Sequence, residues 1–200
     1  MKLHWSAASP YVRKVMACAI ARGIDDRIER VETNPHASPP ALLADNPLSK
    51  VPALVTEDGL ALFDSPVICE YLDSIGEAPP LFPAAGRARW VALRLQAIGD
   101  GILDAAVGRR MQQPWAMDEG RTHFHARQRA AIDRALDLLE AEVATLDGPW
   151  TIGSLAVACA LGYLDFRFAA EPWREGHPGL AAWFARVSEA PPLARTVPVG

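Results

Sequence analysis

Between Gly76 and Gly86 the chain reads GEAPPLFPAAG, and no helix can run through it. Its prolines lack the amide proton a helix needs, and its glycines favour turns, so the segment has to be a connection. The sequence differs on its two sides. Upstream, strand and helix signals alternate; downstream, every patterned stretch has helical spacing. A chain of 200 residues is long enough for two small units. The break therefore predicts an α/β unit over residues 1–75, a linker over 76–86 and an all-α unit over 87–200.

In the first unit, Met1 to Trp5 reads as a short strand. Val12, Val15, Met16, Ala19 and Ile20 then recur at helical spacing over residues 10–22, and Gly23 supplies the C-terminal stop. Arg27 to Val31 is a weaker strand, and Asn34 to Asn46 holds a loop and one short helix. In VPALVTEDGLALF two apolar runs flank Asp58-Gly59, a strong hairpin signal. A helix follows in DSPVICEYLDSIG, with Val67, Ile68, Tyr71, Leu72 and Ile75 on one face. In the second unit a long helix is expected over 87–113, bent near Gly99-Asp100-Gly101. Residues 121–147 carry an apolar seam (Ile132, Ala135, Leu136, Leu139, Val143, Leu146). Residues 152–168 are apolar on nearly all sides, which marks a central buried helix. A last helix spans 178–189.

Bulk properties remove several classes. The formal net charge is −4, with no basic stripe, so nucleic acid is not an expected partner. No apolar run approaches the roughly 18 residues of a membrane span, and the N-terminus lacks the apolar core of a signal peptide. Cys18, Cys69 and Cys159 are scattered and odd in number; they suit core positions in a reducing cytoplasm better than disulfides. His123 and His125, two apart on a helix, cannot share a face, so no metal is expected. Arg13-Lys14 and Arg109-Arg110 read as solvated faces, and Tyr163, Phe166 and Phe168 as core.

Two helices begin with Ser-Pro, at Ser9-Pro10 and Ser65-Pro66. Serine is a favoured N-cap and proline suits the first turn, so capping alone accounts for either one. Two such starts in one small unit, each directly after a strand, also present two helix N-termini that attract anions.

The ordered set of motifs carries a resemblance. NPLSKVPALVTEDGLALFDSPVICEYL resembles the N-terminal domain of the glutathione S-transferases, with its Asn-Pro, Lys-Val-Pro, apolar strand, acidic-Ser pair and Ile-x-x-Tyr-Leu helix. SPYVRKV is similar to the serine-type active-site segment of that superfamily; GYLDFRF and HPGLAAWFARVSEAPPL are similar to a bacterial subgroup. The resemblance implies a thioredoxin-like domain followed by a helical bundle, with reduced glutathione as co-substrate and no metal. It implies that Val51 pairs its backbone with the cysteinyl part of glutathione as an added strand would. Pro52 would be a cis-proline. Asp64 and Ser65 would hold the γ-glutamyl end, and Lys50 or His36 the glycyl carboxylate. Ser9 would donate to the sulfur, with Ser6 a rival hydroxyl in the same loop. A free thiol of pKa about 8.5 is only a few per cent ionised at pH 7, so a hydroxyl donor at a helix N-terminus favours the nucleophilic thiolate.

The same resemblance implies a pocket for a small hydrophobic electrophile, with Tyr11, Arg109, Arg110, Gln113 and Trp115 as candidate lining, and a two-fold homodimer. Addition, isomerisation, dehalogenation and peroxide reduction all stay open, as does a non-catalytic scaffold. The absence of cysteine at position 9 disfavours disulfide exchange. Two departures from the family pattern stand out. The acidic-Ser pair is Asp64-Ser65 where many members have Glu-Ser. TIGS (Thr151 to Ser154) ends in serine, so a weak or absent reciprocal cap is expected there.

Overall fold

A computed structural model describes residues 1–200. Four short strands form one sheet in the order β2-β1-β3-β4. These are β1 (Lys2–Trp5), β2 (Glu29–Glu32), β3 (Ala53–Val55) and β4 (Ala61–Leu62). β1 and β2 run parallel, because the chain between them crosses over as helix α1 (Pro10–Ala21). β3 lies antiparallel to both β1 and β4. The Asp58-Gly59 turn forms as expected: Thr56 and Leu60 close it, and Gly59 takes φ +87°, a conformation glycine adopts without steric cost. Between β2 and β3 lies the one short helix, α2 (Pro40–Asp45), and α3 (Ser65–Ile75) follows β4.

The linker joins α3 to α4 (Gly86–Gln112) and is pinned rather than loose. The Asp73 carboxylate accepts from the Leu81 and Phe82 amides at 2.7 and 3.2 Å and pairs with Arg22 Nε at 2.9 Å. The Arg22 guanidinium also donates to the Gly76 carbonyl at 2.6 Å. Beyond it come α5 (Glu119–Ala141), α6 (Ile152–Arg167), α7 (Pro178–Ser188) and a short α8 (Pro191–Ala194) that the sequence pattern did not announce. The mixed four-stranded sheet followed by a helical bundle is the architecture the resemblance implied.

Several expectations are corrected in detail. Helix α4 continues through Gly99-Asp100-Gly101 with no break in its helical assignment. The glycine there serves packing: a Cβ on Gly99 would stand 2.7 Å from the Ala156 carbonyl carbon. The seam over 121–147 ends earlier, with a 3-10 turn (Val143–Leu146) after α5. TIGS does form a reciprocal capping box. Ser154 N donates to Thr151 Oγ1 at 3.2 Å, and Thr151 N donates to Ser154 Oγ at 3.0 Å, so serine replaces the usual acid. Arg13 and Lys14 are not solvated. Helix α1 is covered by α3 on one side and by α6 and α8 on the other, so both side chains are buried, and Lys14 is 0% exposed. One hydrophobic cluster runs through both units, from Leu3 on β1 to Leu180 on α7. The expected central helix, α6, is buried over Ile152 to Leu164. Cys18, Cys69 and Cys159 are free thiols in this core; burial pushes the Cys159 thiol up to about 11.

Candidate glutathione site

Sheet register decides where the candidate residues meet. The pairing His4↔Ala53 sets the end of β1 beside the start of β3, and Leu54↔Leu62 brings the end of β4 to the same edge. Three segments therefore leave the sheet at one end: the loop into α1 with Ser9, the Val51-Pro52 entry to β3, and the Asp64-Ser65 entry to α3.

Ser9 caps α1. Its Oγ accepts from the Val12 amide at 3.3 Å, which leaves the hydroxyl proton for another acceptor. No acidic residue lies in the first turn, so nothing there opposes the partial positive charge of the helix N-terminus, which favours a negative charge at this tip. Ser6 turns elsewhere: it lines a groove between α1 and the C-terminal segment, with Arg13, Ile28, Thr196 and Val199. Ser9 is absent from that groove.

The Val51–Pro52 peptide is cis, as the resemblance implied. The backbone of Val51 makes no hydrogen bond within the chain, so its N–H and C=O are open to an extended partner. The approach is held by Asn46, whose Nδ2 donates to the Lys50 carbonyl at 2.9 Å and whose Oδ1 accepts from the Leu48 amide at 3.0 Å. This explains the Asn-Pro signal four residues upstream. Lys50 itself is exposed, as is His36 in its 3-10 turn. At α3 the helix begins at Ser65 and Asp64 is its N-cap, one position earlier than a serine cap would set it. The exposed Asp64 side chain caps nothing, and Ser65 is buried at the helix start.

The candidates for a second pocket do not stay together. Tyr11 donates a short hydrogen bond to Asp104 on α4; burial, more than that carboxylate, pushes its phenol up. One turn further down, Lys14 Nζ grips both oxygens of Asp100 at 2.5 and 2.7 Å. Arg109 lies five residues beyond Asp104, about 140° round the helix. It is tied to Glu171, at 2.9 and 2.5 Å, with its guanidinium 4.5 Å over Phe168. Arg109 is thus neither a solvated face nor a pocket residue. Gln113 accepts from Arg110 at the end of α4, about 180° from Asp104, and Trp115 is exposed in the turn after it. Beside Tyr11 the structure brings Tyr163, which sequence reading assigned to the core with Phe166, and next to it Arg167, which sequence reading did not single out, from the end of α6. The spacing Tyr163-x-x-x-Arg167 was the available signal, since residues four apart share a helix face.

Comparison with known proteins agrees with this arrangement. The glutathione S-transferase N-terminal domain model matches residues 8–75, and the C-terminal domain model matches residues 122–186. A GST-like protein of Escherichia coli K12, YibF, whose function is uncharacterised, is 34% identical over 203 residues, covering 99% of this chain and 98% of its own. Among solved structures, a glutathione transferase family member from Pseudomonas fluorescens Pf-5 with bound glutathione superposes with a TM-score of 0.93 at 43% identity, covering 100% of this chain and 99% of that one. That family member has also been solved with S-(propanoic acid)-glutathione, at a TM-score of 0.89 and 41% identity, covering 100% of both chains. A glutathione S-transferase from Methylobacillus flagellatus with glutathione bound gives 0.89 at 31% identity over 99% of both chains. The chain belongs to the glutathione S-transferase family.

Proposed function

We propose that the protein binds reduced glutathione at this end of the sheet, favours its thiolate, and adds it to a small electrophile. The observation that carries the reading is the meeting of three binding elements at one edge. They are the Ser9 helix tip, the unpaired backbone of Val51 before cis Pro52, and the Asp64-Ser65 start of α3. Each matches one part of the tripeptide. Val51 pairs with the cysteinyl peptide; Asp64 attracts the γ-glutamyl ammonium; Ser65 and the α3 N-terminus take its carboxylate. Lys50 is the cation nearest in sequence for the glycyl carboxylate. Glutathione-bound relatives at 43% and 31% identity support the ligand. The relative that holds S-(propanoic acid)-glutathione supports extra room on the sulfur side, which we carry over to this chain.

Ser9 is the proposed catalytic residue. Its free hydroxyl proton donates to the sulfur, and one such bond contributes about 1 kcal/mol. The helix N-terminus and partial desolvation of the site supply the rest of any larger shift. The experiment is a titration of the near-ultraviolet thiolate absorbance of bound glutathione in wild type and Ser9→Ala. A midpoint about one pH unit higher in the variant is expected. Coincident curves would remove Ser9 from its role, and failure of the wild type to bind immobilised glutathione would favour a scaffold. We further propose a homodimer.

A further inference from the structure

Resting on the glutathione reading, we propose that Arg13 supports the thiolate from behind Ser9: its buried guanidinium is a positive charge that no carboxylate of the fold neutralises, and its field favours the charged form of the sulfur at the α1 tip. Arg13 sits one turn below Ser9, and its amide donates to the Ser9 carbonyl at 3.0 Å. A long side chain on a helix leans towards the helix N-terminus, which here is Ser9. Only 7% of Arg13 is exposed. Gly162 on α6 makes room for it: a Cβ there would stand 2.1 Å from Nη1. Nε donates to Thr196 Oγ1 and Nη2 to the Leu193 carbonyl, both at 3.4 Å, beyond the usual hydrogen-bond range. Nη1 has no acceptor. Both acceptors are neutral, and a guanidinium stays protonated at any working pH, so the charge stays whole.

The other charges around α1 are cancelled or screened. Lys14, the next residue, is held by Asp100. Arg13 shares a groove with Ser6 and Ala7, whose other charges are Asp25, Asp26, Arg30 and Arg195. Arg195 is held by Asp25, and the exposed Asp26 and Arg30 are opposite in sign. Ser6 belongs to the Ser9 loop, since the Ser9 amide donates to its carbonyl at 3.1 Å; the arginine and the loop therefore form one wall. Across the cleft, Asp104 accepts from Tyr11 and is exposed, where water and salt screen it. Asp64, also exposed, is assigned to the γ-glutamyl ammonium. Arg167, at the end of α6, has the sign of Arg13 and donates to the Gly200 carbonyl.

A buried charge is screened far less than an exposed one, so among these groups Arg13 acts over the longest range. A unit charge roughly 10 Å away, at an effective dielectric of about 20, moves a pKa by about one unit. A cation stabilises the thiolate and not the thiol, so the shift is downward, and removing the charge raises the midpoint. This contribution adds to the hydrogen bond from Ser9 and needs no contact with the sulfur.

The test is a titration of the near-ultraviolet thiolate absorbance of bound glutathione in wild type and four variants. Calorimetric affinity for S-methylglutathione, which has no thiol, is measured alongside. Arg13→Gln is expected to raise the midpoint by about one pH unit, and Arg13→Lys to keep it near wild type. Thr196→Asp sets a carboxylate against Arg13 Nε and neutralises the guanidinium without removing it; a similar rise is expected, with no loss of stability in urea. Thr196→Asn, the uncharged control, is expected to titrate as wild type. A purely structural arginine predicts the reverse for Thr196→Asp, a better-held side chain and an unmoved thiol. A Thr196→Asp curve coincident with wild type, with S-methylglutathione still bound, overturns this proposal and leaves the glutathione reading standing. A wild type that binds neither glutathione nor S-methylglutathione overturns both. The Thr196 variants decide the matter even if Arg13→Gln fails to fold.

Discussion

At the scale of single residues, the buried charges were the least legible part of the chain. Lys14 follows Arg13 on a helix whose apolar stripe, read alone, leaves both on a solvated side. They are buried because α3, α6 and α8 surround α1, and only the assembled bundle shows that. Lys14 survives burial because Asp100 meets it; burial raises the Asp100 carboxyl, and Lys14 offsets part of that rise. Removing the cation alone strands the acid. Lys14→Met is expected to lower stability by about 3–5 kcal/mol in urea unfolding, and adding Asp100→Leu should recover much of that loss. If the single variant matches wild type, the pair is not the clamp its geometry implies. The Glu171 carboxyl is shifted the other way and makes a pH prediction. Its hydrogen bond from Arg109, then the guanidinium charges, hold its carboxyl below the usual range despite partial burial. A carboxyl lowered in the folded state contributes stability above its unfolded pKa of about 4.3, and loses it as pH falls through the folded value. The melting temperature of Glu171→Gln should therefore fall less steeply than that of wild type below about pH 4.5; parallel curves would contradict this.

At the scale of elements, boundaries marked by proline and glycine were readable, and contacts between elements were not. Pro10, the Asp58-Gly59 turn and Gly23 stand where local sterics placed them, because their effect needs no neighbour. The glycines of α4 are the contrary case. Gly99 and Gly101 are equivalent as sequence, two helix-weakening residues with only Asp100 between them, and they suggested a bend. In the fold they differ completely. A Cβ on Gly99 would run into the backbone of α6 at Ala156, while one on Gly101 meets nothing within 4 Å. Gly153 on α6 packs as closely against Ala92 of α4, at 2.5 Å for the added atom. Gly101→Ala is therefore expected to stabilise the protein by up to about 1 kcal/mol through helix propensity. Gly99→Ala should destabilise it by about 1–3 kcal/mol by forcing the two helices apart. Chemical unfolding of the two variants side by side measures the difference; the same sign in both would refute the packing argument. The cap at Thr151 belongs here too. Serine at its third position completes the reciprocal bond that an acid usually makes, so Thr151→Ala is expected to cost about 1 kcal/mol.

At the scale of the whole molecule, the fold leaves several large apolar side chains uncovered, and two of them lie on helices of different units. Trp90 on α4 is 69% exposed and Val67 on α3 is 46% exposed. The two helices are bridged nearby by Arg89 and Glu70 at 2.9 Å, which keeps the pair of faces together. A large exposed tryptophan suits the centre of an interface, and we assign the proposed dimer contact to this face. Trp90→Glu is expected to convert the dimer to monomer in sedimentation velocity with an unchanged circular dichroism spectrum; a variant that sediments as wild type would move the interface elsewhere.

The sequence by itself determined the order of elements, the break at 76–86, the hairpin and the two Ser-Pro helix starts, because each depends on local chain stiffness and on side-chain period. Only the tertiary structure decided which charges are buried, which candidates for the second pocket share a face, and where Val51, Ser9 and Ser65 meet. Those outcomes depend on how helices far apart in the chain pack against one another, and burial and long-range electrostatics are set by that packing rather than by any residue's sequence neighbours.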